Sequence, residues 1–509
     1  MRTLVSRLSR PVLVAVTALL CLAGLAPTPA APTPAAADAS GRPAPRQTLR
    51  NPVREGVADP WLFHRDGSYF LSYTATDRIV LVRANSVAGL ATAPAVTVWR
   101  DSSPDRCCGV WAPEFHFLDH RWYVYYAAAP PDTVSGHRMY VLESAGASPF
   151  GPYRFKGQLA TNTDFAIDGT VLRLPNGRLY HVWSGVPTGS TTQNLYIAQL
   201  RDPWTISGPP VLLSQPTLAW ERQGSPIEEG PVVLRRAGRT FLFFSASHCA
   251  TPDYALGVLE FTGGDVLDPA SWRKTPTPVF QRSDANWVFG TGHNSFVSSP
   301  DGRETWIAYH AMTSPTGAPN GSCGGDRSLR LDRVDFDADG TPRLGPPSAS
   351  WQTLPLPSGD PGTRGVSPGQ YRLAPLNNTG NALAVDDCST EPGANVSVWA
   401  ADAASPCQRW NLSRFGDGYR ITNAHTGQAL TVADCSPDNH ADVVQQPDQG
   451  ADCQRWYVDA LLGGAHRISS TTSGRALDVA GCAAAPPADV RVWNFWQGDC
   501  QKWQLTPVT

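Results

Sequence analysis

The run Asp59-PWLFHRDGSYFLSYT carries an acid, a short apolar strand, an Asp66-Gly67 turn and then an aromatic strand. Asp-Gly between two strand-forming runs is a hairpin signal. The same order returns four more times: Pro113-EFHFLDHRWYVYYAA, Asp168-GTVLRLPNGRLYHVWSG, Glu229-GPVVLRRAGRTFLFFSAS and His293-NSFVSSPDGRETWIAYHA. Their turns are Asp119-His120, Asn176-Gly177, Ala237-Gly238 and Asp301-Gly302. The copies begin roughly 50 to 65 residues apart, room for four short strands each, which is the period of a propeller blade. Five copies predict five blades around one axis. The inner strand of each blade then starts at the central funnel, so residues distant in sequence converge there. Asp59, Glu114, Asp168, Glu229 and His293 occupy those starts.

A second repeat follows. Gln408-Arg-Trp410, Gln454-Arg-Trp456 and Gln501-Lys-Trp503 recur about every 46 residues, each preceded by a cysteine. Within the copies, Cys388 and Cys407, Cys435 and Cys453, and Cys482 and Cys500 stand 19, 18 and 18 residues apart. That regularity predicts three disulfides, one per copy, each closing a small β unit. Leu354-PLPSGDPGTRGVSPG separates the two repeats and reads as a linker.

The rest of the chain agrees with an all-β, multidomain, exported protein. It has 509 residues, 41% hydrophobic and 17% charged, with 45 Gly, 46 Pro and 17 Trp. Such a composition excludes a disordered chain, a coiled coil and a helical bundle. A net charge of −3 without a basic stripe argues against nucleic acid as a partner. Arg2, Arg7 and Arg10 precede an apolar run from Val12 to Leu25, then Ala26-Pro-Thr-Pro-Ala30-Ala31. This is the order of a secretory signal, and the run is short for a membrane span. The expected division is a signal peptide and processing region over 1–37, a flexible segment over 38–49, a propeller over 50–354, a linker over 355–368 and a second domain over 369–509. A secreted, extracellular monomer with no membrane partner is expected. Beyond Cys21 and the six repeat cysteines, Cys107, Cys108, Cys249 and Cys323 remain. Three pairings are open. A Cys107–Cys108 bridge joins sequence neighbours and is strained, so cross-pairing with Cys249 and Cys323 is expected. The competing zinc reading lacks a paired CxxC spacing.

Residues 50–354 resemble family 43 glycoside hydrolases, which are five-bladed propellers. The resemblance rests on Gly56-VADP, Trp111-APE, Ala166-IDGT, Glu229-GP, Gly292-HNSF and Arg327-SLRLDRVDFDADGTP. His137-RMY, Trp204 before Ser207-GP, and Pro252-DYALG are similar to the family's exo-acting α-L-arabinofuranosidase branch. Residues 369–509 resemble a ricin-type β-trefoil carbohydrate-binding module.

The family resemblance implies inversion: one carboxyl protonates the leaving oxygen, while another takes a proton from a water on the opposite sugar face. It assigns Asp59 as base, Glu229 as acid and Asp168 as the group that orients the acid and raises its pKa. Glu228, its neighbour, must point the other way on a strand and is read as a packing or solvated residue. Arg327 matches an arginine that reaches the substrate and the acid. Trp61 and Trp111 are candidates to stack on sugar. His293 matches a histidine on the funnel axis, beside which a cation such as Ca2+ can sit; no cofactor is required. In the second domain, the sugar-binding Asp of the ricin pattern survives only in the third copy, as Asp478, with Trp493 and Asn494 nearby. Ala384 and Thr431 replace it in the other copies, leaving one competent sugar site.

The expected activity is release of L-arabinofuranose from the plant cell-wall polysaccharides arabinan or arabinoxylan. β-Xylosidase and endo-arabinanase are alternatives within the family, and a non-catalytic lectin is the alternative outside it. A retaining fructan hydrolase is disfavoured, because Ala58-Asp59-Pro60-Trp61 does not match that family's Asn-Asp-Pro-Asn.

Overall fold

The computed structural model describes residues 48–161, 165–318, 321–324, 326–363 and 365–508. The expected leader and residues 38–47 lie outside them. The described chain is all β, with only short 3-10 turns between strands.

Each propeller copy forms one antiparallel sheet. The first is Trp61–Arg65, Ser68–Ser72, Ile79–Ala84 and Ala95–Trp99; the second begins at Cys108–Leu118, the third at Phe165–Arg173 and the fourth at Glu228–Arg236. The fifth runs Phe289–Ser298, Thr305–Met312 and Ser328–Phe336, and its outer strand is Arg54–Glu55 from the start of the described chain. The first strands of successive blades touch in a closed ring. The predicted hairpin turns form: Asp66 and Gly67, Asp119 and His120, and Ala237 and Gly238 all take positive φ, as tight two-residue turns between twisted strands require. Apolar clusters fill the gaps between blades. Phe70, Phe115 and Trp122 bridge the first two, and Tyr125, Met139 and Trp183 the second and third. Leu172, Val182, Leu242 and Phe244 bridge the third and fourth.

The second repeat folds as a trefoil. Gly369–Pro375, Trp410–Phe415, Gly418–Asn423, Arg455–Ala460, His466–Ser470 and Trp503–Pro507 close a six-stranded barrel. Three further hairpins complete the copies. The Gln-x-Trp motif builds this core. Trp410, Trp456 and Trp503 are fully buried, and each indole N–H donates to the carbonyl of Leu383, Leu430 or Leu477 in its own copy. Cys388–Cys407, Cys435–Cys453 and Cys482–Cys500 are joined.

Two boundaries differ from the sequence reading. Thr48–Leu49, at the end of the expected flexible segment, pairs with Leu354–Pro355. The expected linker packs on the propeller: Leu356 joins its core, and Asp360 accepts from the Val87 N–H at 2.8 Å. Pairing and burial satisfy backbone and apolar groups that a free tether would leave to water. Lys502 pairs with Glu55 at 2.7 Å, and Arg467 Nη1 donates to the Asn51 carbonyl at 2.9 Å, so the trefoil is fastened to the propeller.

Candidate active site

A residue in the left-handed region stands near the start of each inner strand, and in four blades it lies in a β-bulge. Asp59, Ala112, Asp168, Gly230 and His293 each take φ between 43° and 56°. Strand registers shift around four of these positions. A bulge turns a side chain out of the ladder, which is why bulges collect at active sites. Gly230 is required at its place: its φ is 54°, and a Cβ there would meet His293 Nδ1 and Ser245 Oγ at 3.2 Å. Its N–H donates to Asp168 Oδ2 at 3.1 Å.

These backbone turns bring Asp59, Asp168, Glu229 and His293 to one pocket of about 470 Å³, with Trp111 and Arg327 also on its wall. Thr74 Oγ1 donates to Asp59 Oδ2 at 2.6 Å and Arg327 Nη1 to Asp59 Oδ1 at 3.0 Å. His293 Nδ1 lies 3.4 Å from Asp59 Oδ1 and 3.9 Å from Asp168 Oδ2. Glu229 accepts from Tyr254 Oη at 2.8 Å and from Gln193 Nε2 at 2.9 Å.

Asp168 and Glu229 are buried and Asp59 is nearly so, but the three are charged differently. Burial opposes ionisation of Asp59, yet the Arg327 guanidinium and His293 outweigh it and hold this carboxyl well below the ordinary range. Burial raises Asp168 well above its ordinary value, and the charges of Glu229 and Asp59 add to the rise. Burial also raises Glu229; His293, Tyr254 and Gln193 pull it back only in part. One carboxylate thus stays ionised beside two acids that hold protons to higher pH, the division that acid–base chemistry at a single bond requires.

Several sequence expectations are corrected. Trp61 is not on the pocket: it is the first residue of its strand, and its indole donates to the Phe115 carbonyl at 3.0 Å and packs against His116 of the second blade. Glu114 also stays off the pocket. The second blade's bulge falls on Ala112, so Glu114 turns to His116 Nε2 at 2.7 Å. Arg327 reaches Asp59, the carboxylate expected as base, rather than Glu229. Of the two readings of Glu228, packing or solvated, the structure selects packing: it is fully buried and ion-paired with Lys274. Cys107 joins Cys108, and Cys249 joins Cys323, so the expected cross-pairing is wrong. The loops bearing Cys249 and Cys323 meet on the pocket wall, leaving the adjacent pair to bond with each other.

The donor set speaks against an ion held directly by His293. Its Nδ1 faces the two carboxylates, and Asp59 is already engaged by Arg327 and Thr74. Calcium needs six to eight oxygen ligands, and these side chains form no such cage. Among the described residues, the compact group of metal-binding side chains is His248, Cys249 and Cys323, whose two thiols are spent in a disulfide. That also removes the zinc reading.

Thr74, Ser245 and His310 serve the site but were missed. All lie near the ends of the aromatic second strands. Ser245 and His310 sit opposite the bulges of the fourth and fifth blades, so aligning the copies shows them. Tyr254 and Gln193 have no repeat signature. His137 stacks on Trp111 with ring centroids 3.6 Å apart and holds it at the pocket.

In the trefoil, Asp478 is buried and accepts from Arg491 Nε at 3.0 Å. The Arg491 guanidinium lies 4.5 Å over the Trp493 ring, and the Asn494 N–H donates to Asn439 Oδ1 at 2.9 Å. Arg491 thus joins Asp478 to Trp493, and Asn494, next in the chain, is held by Asn439. The first copy, expected to be degenerate, has a pocket of about 260 Å³ lined in part by Ala384, Trp399 and Asp402.

Buried acids of opposed ionisation, gathered at the mouth of a β-propeller that is followed by a lectin-like trefoil, define a hydrolase of glycosidic bonds. The model of glycosyl hydrolases family 43 matches residues 49–342, and that of the ricin-type β-trefoil lectin domain matches 348–446, 406–493 and 452–509. The chain belongs to glycosyl hydrolase family 43. It is 42% identical over 335 residues to an extracellular exo-α-(1→5)-L-arabinofuranosidase of Streptomyces avermitilis, covering 63% of this chain and 68% of that one. It is 36% identical to α-L-arabinofuranosidase 43 of Humicola insolens, covering 68% and 70%. Among solved structures, an α-L-arabinofuranosidase from Lactobacillus brevis superposes with a TM-score of 0.55 at 34% identity, covering 59% of this chain and 98% of that one. Among the described residues no helix is long and apolar enough to cross a membrane.

Proposed function

We propose that the chain is a secreted, monomeric, inverting α-L-arabinofuranosidase that releases terminal arabinofuranose from arabinan or arabinoxylan, with the trefoil holding the polymer. The observation that carries this reading is the meeting of Asp59, Asp168 and Glu229, from three different blades, on the wall of one pocket; the opposed directions of the Asp59 and Glu229 shifts agree with it. The names of its relatives, arabinofuranosidases, support arabinofuranose as the sugar.

Asp59, kept ionised by Arg327, takes a proton from a water molecule. The water oxygen bonds to the anomeric carbon as the glycosidic C–O bond breaks. Glu229 gives its proton to the departing oxygen, and the sugar leaves with inverted configuration. Asp168, fixed by the Gly230 N–H, orients Glu229 and keeps a second negative charge costly there. Trp111 offers an apolar face to the sugar.

Hydrolysis of arabinan, arabinoxylan and aryl glycosides, with proton NMR of the first-formed anomer, tests the reading. Arabinose appearing first as the β-anomer is expected. Xylose or longer arabino-oligosaccharides as first products would select the β-xylosidase or endo-arabinanase alternative. Binding without any reducing sugar would select the lectin.

A further inference from the structure

Beside the catalytic pocket lies an open groove of about 560 Å³ walled by both domains. The propeller supplies Glu55, Gly56, Thr313, Ser314 and Asp326; the trefoil supplies Trp496 and Gln497. Gly56 also lines the catalytic pocket, so the two depressions share a wall.

Trp496 is the unusual member. It is 39% exposed, one of two tryptophans so open among the described residues. Its position is fixed by the trefoil repeat. The Trp496 N–H donates to Gln501 Oε1 at 2.8 Å, just as the Asp402 and Gln449 N–H groups donate to Gln408 and Gln454 in the other copies. The fold therefore accepts polar residues at this place, and only the copy whose loop borders the propeller groove carries an indole. The ring is held against the Gly498 backbone: a Cβ there would come within 2.1 Å of it. Opposite, Asp326 accepts from the backbone of Thr313 and Ser314 and orders that loop. The Lys502–Glu55 pair fastens the edge at 2.7 Å.

A fixed, half-open aromatic ring facing hydroxyls and a carboxylate suits a sugar, which has an apolar ring face and a polar rim. We propose that this groove binds the sugar units next to the terminal residue held in the catalytic pocket, with Trp496 stacking on one of them. The trefoil would then complete the substrate site as well as anchoring polymer. The proposal rests on the arabinofuranosidase reading.

The test compares wild type, Trp496→Ala and Trp496→Phe on an aryl α-L-arabinofuranoside and on soluble α-1,5-linked arabinotriose. The expected result is a fall of about tenfold in the ratio of trisaccharide to aryl kcat/KM for Trp496→Ala, carried by KM, as for loss of one aromatic anchor. Trp496→Phe should recover most of it, and the thermal midpoint should hold in both variants. An unchanged ratio, or a loss that Phe does not repair, overturns the proposal. Wild type that cleaves the aryl glycoside while Trp496→Ala leaves the ratio unmoved sinks this inference alone. Wild type that cleaves neither arabinoside sinks the arabinofuranosidase reading and this inference with it.

Discussion

Arg327 Nη1 donates to Asp59 Oδ1 at 3.0 Å, and its guanidinium is the largest influence that keeps the group read as the base ionised against burial. Burial alone would push Asp59 above the ordinary carboxylate range. Arg327→Met removes the largest opposing charge, so the pKa of Asp59 rises. The base is active only when ionised, so the acidic limb of the kcat/KM profile should move to higher pH, by roughly one to three units. A pH–rate profile on a soluble arabinoside measures it. An unmoved acidic limb would remove Asp59 from the role of base.

Tyr254 acts on the opposite limb. Its hydroxyl donates to Glu229 Oε1 at 2.8 Å and stabilises the ionised carboxylate. Tyr254→Phe removes that bond, so Glu229 holds its proton to higher pH. The basic limb should shift upward by about one unit, the scale of one hydrogen bond to a charged group. A downward shift would show that the group titrating on this limb is not Glu229.

The fold was legible because each copy carries its own turn and strand signals. Asp66-Gly67 and Asp119-His120 needed no distant information to be read as hairpins. The acids were legible because equivalent places in equivalent copies meet at one axis. What escaped depends on single-residue offsets or on loops meeting in space. The bulge at Ala112 rather than Glu114 is such an offset, and it removes a carboxylate from the pocket. Trp61 turns to the second blade instead of the pocket. The disulfide partners of Cys249 and Cys107 follow from loop positions, and no spacing encodes those.

Glu228 and Glu229 separate cleanly by substitution. Glu229→Gln and Asp59→Asn should each lower kcat roughly a thousandfold or more, with the unfolding midpoint retained. Glu228 instead shares Lys274 with Glu221 and is fully buried, and burial raises its pKa to about 7. Glu228→Gln should keep most of the turnover and lose about 2 kcal/mol of stability through the weakened buried pair. Equal loss of kcat at 228 and 229 would show that the acid is misassigned.

The Cys249–Cys323 bond ties Arg327 to the pocket wall. Both cysteines line the pocket, and Arg327 Nη2 donates to the Cys323 carbonyl. The bond closes a separation of 74 residues. In the chain-entropy account, a loop of that length stabilises the fold by about 4 kcal/mol. Replacing both cysteines with serine should lower stability by an amount of that order. It should also loosen the Cys323 carbonyl that steadies Arg327, raising the pKa of Asp59 and moving the acidic limb upward, as Arg327→Met does but less far. Denaturant unfolding and the pH–rate profile read the two effects separately. Lost stability with an unmoved acidic limb would mean that the bond braces the fold without positioning Arg327. No loss of stability would show that the loop is held by its other contacts.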